Sequence, residues 1–424
     1  MVRQRSAQTY LKLLIVTVML MVSAGKLFSQ MAVGKGKFLG NVWGGSGIPL
    51  NYDQYWNQIT PENASKWGSV EGTRNSYNWG RANEIYEYCL NKQYPFKFHT
   101  LIWGQQYPNW LTTLDSASIA QEVEEWIRLS GVQYISASFV DVVNEPLFGH
   151  NPPPATVINA LGGTGATGWD WVIRSFELAR QYWDKGVKLI LNDFSIINSS
   201  SATAQYLVII NLLKDRGLID GIGVQCHSFE VYNTPTATLQ TNLNSLAATG
   251  LPIYISEFDI NDANDTIQLD KYKSIFPVLW NHPGVKGITF WGYIQNQTWQ
   301  PNAYLITSSG AERPAMQWLK SFMASIVSDV SDHSSVPTEF ALFQNYPNPF
   351  NPTTVVSYQL PVSSHVTLKV YNLLGEEIAT LVAGEKQAGS YTVQWDARNY
   401  SSGVYVFRLE AGGFAQAKKL IVLR

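Results

Sequence analysis

Eight short apolar runs, each trailed by a stretch with helical spacing, predict a (β/α)8 barrel over residues 30–326. The repeat count fits the roughly 250-residue size of such barrels. A doubly wound sheet is the runner-up, but no glycine-rich phosphate turn follows the first run. In order, the runs are Phe38 to Trp43, Tyr55 to Thr60, Phe96 to Trp103, Ser138 to Glu145, Val187 to Asp193, Gly221 to His227, Pro252 to Phe258 and Lys286 to Gly292. Between them, "SIAQEVEEWIRLSG" reads as a helix ending at Gly131, and "DWVIRSFELARQYWDKG" as one ending at Gly186, each glycine serving as a C-cap.

Residues 327–338 are polar and read as a linker. From 339 to 424 the texture changes to alternating runs separated by glycine turns: "TTVVSYQLP", "HVTLKVYNLLGEEIATL", "GSYTVQWDA", "GVYVFRLEAGG" and "AQAKKLIVL". That pattern predicts a small antiparallel β-sandwich. At the other end, residues 1–29 place Arg3, Arg5 and Lys12 before an apolar stretch from Leu13 to Val22, the anatomy of a signal peptide rather than a membrane span.

Composition narrows the function. Charged residues are only 15% of the 424, aromatics are 13%, and the net charge is -2, so there is no basic footprint for nucleic acid. Fifteen tryptophans on such a chain suit neutral, ring-shaped ligands. Cys89 and Cys226 are the only cysteines, too few for a disulfide framework or a zinc cluster, and both read as small buried hydrophobes. A single bridge between them stays open if the chain is exported.

In a barrel of this kind the active site forms where the C-terminal strand ends meet the following loops. The polar residues there are Glu62, Asn63 and Lys66, then His99, Asn144 with Glu145, Asn192 with Asp193, Gln225 with His227, Glu257 with Asp259, and Trp291. One carboxylate at a strand end is ordinarily a helix cap or a solvent contact. Glu145 and Glu257, however, end the fourth and seventh runs, which lie nearly opposite each other in a closed eight-stranded barrel. Two facing carboxylates, with no metal-ligand cluster and many aromatics, point to glycoside hydrolysis.

The quoted segments "ITPENASKWG", "FHTLIWG", "DVVNEP", "GIGVQCH", "ISEFDI" and "GITFWG" followed by Trp299 occur in the order that marks glycoside hydrolase family 10, the endo-β-1,4-xylanases, which the chain resembles from about Phe38 to Phe322. The resemblance implies a retaining enzyme that cleaves internal β-1,4-xylosidic bonds by double displacement, with no cofactor and no metal. It implies Glu145 as general acid/base, Glu257 as nucleophile, and Asn144 turned to the sugar 2-hydroxyl. His227 would hydrogen-bond the nucleophile and be held by Asp259. Glu62, Asn63, Lys66, His99, Trp103 and Gln225 would bind sugars on the non-reducing side, with Trp291 and Trp299 as aromatic floor and wall.

Three departures from the family pattern stand out. Gly104 replaces a second histidine after Trp103, Phe194 replaces a tyrosine after Asp193, and the loop "YIQNQTWQPNAYLI" is unlike the common form. Rival readings are a related retaining β-1,4-glucanase or mannanase, or a non-catalytic polysaccharide-binding surface protein. The tail, with "FQNYPNPFNPTT", "SSGVYVFRL" and "KKLIVLR", resembles the sorting domain of type IX secretion rather than a carbohydrate-binding sandwich, because Trp395 is its only tryptophan. The expected partners are therefore xylan or xylo-oligosaccharides and, transiently, the secretion machinery. The expected chain is a monomer, secreted or held at the outer-membrane surface.

Overall fold

The computed structural model describes residues 30–326, 337, 339–345 and 348–423. The expected signal peptide and nearly all of the expected linker lie outside the described residues. The chain forms two compact units divided between residues 327 and 328.

The first unit is an eight-stranded parallel barrel. Its strands are β1 (Phe38–Trp43), β2 (Ile59–Pro61), β3 (Lys97–Ile102), β4 (Phe139–Asn144), β5 (Lys188–Asp193), β6 (Gly221–Val224), β7 (Ile253–Phe258) and β8 (Val285–Phe290). They pair in the order β2-β1-β8-β7-β6-β5-β4-β3, and a parallel bridge from Ile59 to Phe96 joins β2 to β3. Strands β4 and β7 are thus three steps apart one way round and five the other.

Among the described residues, seven helices of twelve or more residues clothe the barrel: α1 (Gly80–Lys92), α2 (Ser116–Gln133), α3 (Asp170–Tyr182), α4 (Ser200–Lys214), α5 (Thr236–Ala247), α6 (Asp265–Asn281) and α7 (Pro314–Ser325). Side chains that stop α2, α4 and α6 from fraying at their N-termini are Asp115, Ser199 and Asn264, each accepting a backbone N–H of the first turn. Much of the tryptophan serves this outer layer. Trp126 stacks between Trp67 and Trp79, with ring centroids 5.5 Å away on each side, and donates to the Leu101 carbonyl.

Inside the barrel, polarity runs along the strands. At their N-terminal ends Phe38, Phe139, Ile190 and Tyr254 form an apolar plug. One layer up, Lys97 Nζ and His99 Nδ1 share Asp141 Oδ2 at 3.0 and 2.8 Å. The carboxylates come last, at the C-terminal mouth.

Several boundaries differ from those the sequence suggested. Helix α2 continues past Gly131, whose missing side chain instead lets the helix press on α3: a Cβ there would lie 2.6 Å from the Tyr182 carbonyl oxygen. Helix α3 stops at Tyr182, because Trp183 is extended, and Gly186 belongs to a turn in which Asp184 accepts its N–H. Of the second run, Tyr55 lies in a helical turn, Tyr52–Tyr55, and the strand begins only at Ile59.

In the second unit, β9 (Ala341–Leu342), β10 (Thr353–Leu360) and β13 (Gly389–Asp396) form one antiparallel sheet. A second contains β12 (Glu377–Lys386), β11 (Ser364–Tyr371), β14 (Gly403–Ala411) and β15 (Phe414–Val422). Alternate residues of the two sheets, among them Val356, Leu368, Phe407 and Leu409, share one buried core, as a sandwich requires. The long run from His365 to Leu381 is two strands rather than one, because Asn372 accepts the N–H groups of Leu374 and Glu376 and turns the chain between β11 and β12.

Candidate active site

Most of the expected site residues lie at or just beyond the C-terminal end of a barrel strand; His99 lies within β3, and Trp299 in the loop nine residues after β8. Glu145 immediately follows β4. Its φ of 57° is in the left-handed region, uncommon for a residue with a side chain and a frequent mark of a functional position. Its N–H is fastened to the Asn192 carbonyl at 2.8 Å. Four N–H donors surround its carboxyl. Gln225 Nε2 and Asn144 Nδ2 approach Oε1 at 2.8 and 3.2 Å. Trp103 Nε1 and Asn151 Nδ2 approach Oε2 at 2.9 and 2.5 Å.

Glu257, within β7, has a different environment. Asn192 Nδ2 donates to its Oε1 at 2.9 Å, and His227 Nε2 lies 3.2 Å from Oε2. The other imidazole nitrogen, Nδ1, is 2.7 Å from Asp259 Oδ2, while Asp259 Oδ1 accepts the Ser228 N–H at 2.8 Å. Burial alone would strip His227 of its proton, but the Asp259 and Glu257 carboxylates outweigh it and hold the ring cationic. Burial would likewise favour a neutral Glu257. The hydrogen bond from His227 and the positive surroundings of His99, His227 and Lys97 overcome that and keep Glu257 well below the usual carboxylate range.

The two glutamates belong to one network. Asn192 Nδ2 bridges Glu257 and Asn144 Oδ1, the latter at 2.8 Å, and Asn144 in turn reaches Glu145. Ser256 fixes Asn192 from below by donating to its Oδ1 at 2.6 Å. Each of these side chains is nearly or fully buried.

Beside Glu145 lies the other group of expected residues. Lys66 Nζ donates to Asn63 and Gln106 at 2.9 and 2.6 Å and stands 4.7 Å from the Trp103 ring centroid. Burial lowers Lys66 to about 8, against the pull of Glu257, Glu62 and Glu145. Glu62 is pushed upward by burial, with Lys66 opposing. His99 meets Trp291 edge-on at 5.4 Å, and Trp299 lies 4.7 Å from His227. Trp291 is 6% exposed and Trp299 53%, so only the latter presents an open indole face.

All thirteen expected residues therefore surround one mouth. Sequence reasoning gave no role to Asn192, although it appeared among the strand-end polar residues, and did not single out Asn151, which sits in an ordinary-looking loop. Glu230 was also missed. It caps the turn after β6 by accepting the N–H groups of His227 and Ser195, and burial pushes it up to about 8. Cys89 and Cys226 are buried and free, as expected of small apolar residues. No group of three or more His, Cys, Asp or Glu suited to a metal ion occurs among the described residues.

Two carboxyls in one hydrogen-bonded network, one ringed by N–H donors and the other held low, are the residue types that acid/base and nucleophilic chemistry at a glycosidic carbon requires. Comparison with known proteins agrees with the geometry. Endo-1,4-beta-xylanase B of Cellvibrio japonicus is 44% identical over 285 residues, covering 67% of this chain and 45% of that protein, so the chain spans less than half of that relative. Beta-1,4-xylanase of Dictyoglomus thermophilum is 28% identical over 264 residues, 58% of this chain and 73% of that protein. Native xylanase 10B from Thermotoga maritima shares the fold with a TM-score of 0.62, at 23% identity over 70% of this chain and 98% of that one. Residues 344–423 match the secretion system C-terminal sorting domain. Because the paired glutamates and their supports fall inside a match that runs over residues 21–322, the chain belongs to glycosyl hydrolase family 10.

Proposed function

We propose that the barrel is a retaining endo-β-1,4-xylanase. The carrying observation is the unequal treatment of two glutamates in one hydrogen-bonded network. Glu257, kept ionised by His227 and Asp259, attacks the anomeric carbon and forms a glycosyl-enzyme ester. Glu145 delivers its proton to the departing glycosidic oxygen, then takes one from the water that hydrolyses the ester. Asn144 meets the 2-hydroxyl of the sugar beside Glu257, a role supported by its hydrogen bonds to Asn192 and Glu145. Glu62, Asn63, Lys66, His99, Trp103, Gln225, Trp291 and Trp299 bind the sugars on the non-reducing side.

The name of the 44%-identical relative supports xylan as substrate. The tail serves export: its match to a sorting domain supports a secreted or cell-surface protein that engages the secretion machinery, behind a signal peptide over residues 1–29. No helix among the described residues is long and apolar enough to cross a membrane.

The test is Glu257→Ala assayed on xylan, cellulose and mannan beside the parent, with the anomeric form of the first product followed by NMR. The expected result is xylan hydrolysis with retained configuration in the parent and its loss in the variant. Undiminished release of reducing sugar by Glu257→Ala would sink the assignment, and preference for cellulose or mannan would replace the substrate.

A further inference from the structure

We infer that Asn151 is a positioning residue for Glu145, and that Gly104 exists to let it reach there. The inference rests on the reading of Glu145 as the acid/base. Asn151 lies in the loop after β4, and its Nδ2 donates to Glu145 Oε2. The amide is oriented by its other end, since Oδ1 accepts from Gln105 Nε2 at 3.2 Å, which leaves only N–H facing the glutamate.

Three features hold that loop against the barrel. The Asn151 carbonyl accepts the Gly104 N–H at 3.0 Å. A Cβ on residue 104 would lie 2.5 Å from that same carbonyl oxygen and 2.2 Å from the Pro152 carbonyl oxygen, both backbone atoms that cannot swing aside. The histidine of the family pattern therefore has no room at this position, and the space belongs to the loop. On the far side, Asp193 accepts the Leu147 N–H at 3.1 Å and lies 2.6 Å from His150 Nδ1, tying the loop to β5. Pro152, Pro153 and Pro154 follow directly and restrict the backbone beyond Asn151.

The consequence concerns where the acid's proton sits. Glu145 projects from a left-handed backbone, and its carboxyl plane is set by donors on both oxygens. Asn151 and Trp103 share Oε2. Without Asn151 that oxygen keeps one tether, and the carboxyl turns away from the leaving oxygen more often. Proton delivery suffers; binding and nucleophilic attack do not.

The experiment uses the full chain and compares kcat/KM, which reports the first chemical step, on xylopentaose and on a dinitrophenyl xylobioside whose leaving group departs without a proton. Asn151→Asp keeps the shape and replaces the amide donor with a charged acceptor, while Asn151→Ala removes the donor without adding charge. The expected result is a loss of about 10- to 100-fold on xylopentaose with dinitrophenyl activity within about threefold of the parent, shared by Asn151→Ala and Gly104→Ala. Retained dinitrophenyl activity also shows that each variant folds. Parent-like activity of Asn151→Asp on both substrates, or equal losses on both, would overturn the inference. Glu145→Ala run alongside separates the two readings: equal losses on both substrates in that variant would instead overturn Glu145 as the acid.

Discussion

Replacing Asp259 with asparagine tests the electrostatic core of the site at nearly constant volume. Asp259 faces two donors, His227 Nδ1–H at 2.7 Å and the Ser228 N–H at 2.8 Å, and is 1% exposed. An asparagine has one oxygen and one amide for those two places, so one donor faces another and goes unpaired, at a cost of about 1 to 3 kcal/mol. The larger effect reaches Glu257. Without the charge that overcomes burial, His227 loses its proton at lower pH, and the bond at 3.2 Å to Glu257 loses its charge assistance. A hydrogen bond to a charged group contributes about 1.5 to 3 kcal/mol, which corresponds to roughly 10- to 150-fold in the glycosylation step. The sign in pH follows. Glu257 is held low against its own desolvation, so weakening His227 lets it rise, and the acid limb of kcat/KM moves to higher pH. The assay is kcat/KM on the dinitrophenyl xylobioside across pH, where Glu145 protonation is not required. An unchanged acid limb in Asp259→Asn, with activity within twofold of the parent, would refute the coupling through His227.

Two further outcomes concern stability. Gly131→Ala should destabilise the barrel by about 1 to 2 kcal/mol in chemical denaturation, although alanine favours helix by about 1 kcal/mol, because its Cβ would meet the Tyr182 carbonyl at 2.6 Å; a stabilised variant would show that α2 and α3 shift apart freely. Thermal unfolding should be most difficult near about pH 4 and easier at pH 9. His227, raised from 6.5 to about 10, contributes its stability below 6.5 and loses it as the pH climbs through the folded value. Asp193 and Glu230, raised from 3.8 to about 6 and from 4.5 to about 8, cost stability progressively as pH climbs from the ordinary carboxylate range to those values, the cost being complete above them. Glu257 has the opposite sense, stabilising above 4.5 and losing that as pH falls through its lowered folded value. A melting temperature that rises from pH 6 to pH 9 would contradict this balance.

The barrel is legible without any structure, because apolar strand runs recur eight times with helical spacing between them and the period of each is readable locally. The sequence also placed Glu145, Glu257, His227 and Asp259, since each sits at the polar end of an otherwise apolar run. Glycines misled it: Gly131 and Gly186 look alike as helix stops, yet one is a contact point between helices and the other a turn residue, a distinction set by neighbours about 50 residues away or by a local aspartate. Which polar residues serve which glutamate emerges only from the folded chain. Asn192 and Asn151 carry no local signal, because an asparagine in a strand end or a loop is ordinary. Their roles arise when β5 brings Asn192 between the two carboxyls and when the loop after β4 folds onto a residue without a side chain at position 104. Hydrogen-bond partnership depends on distances of about 3 Å between groups far apart in the chain, and such distances exist only once the barrel has closed.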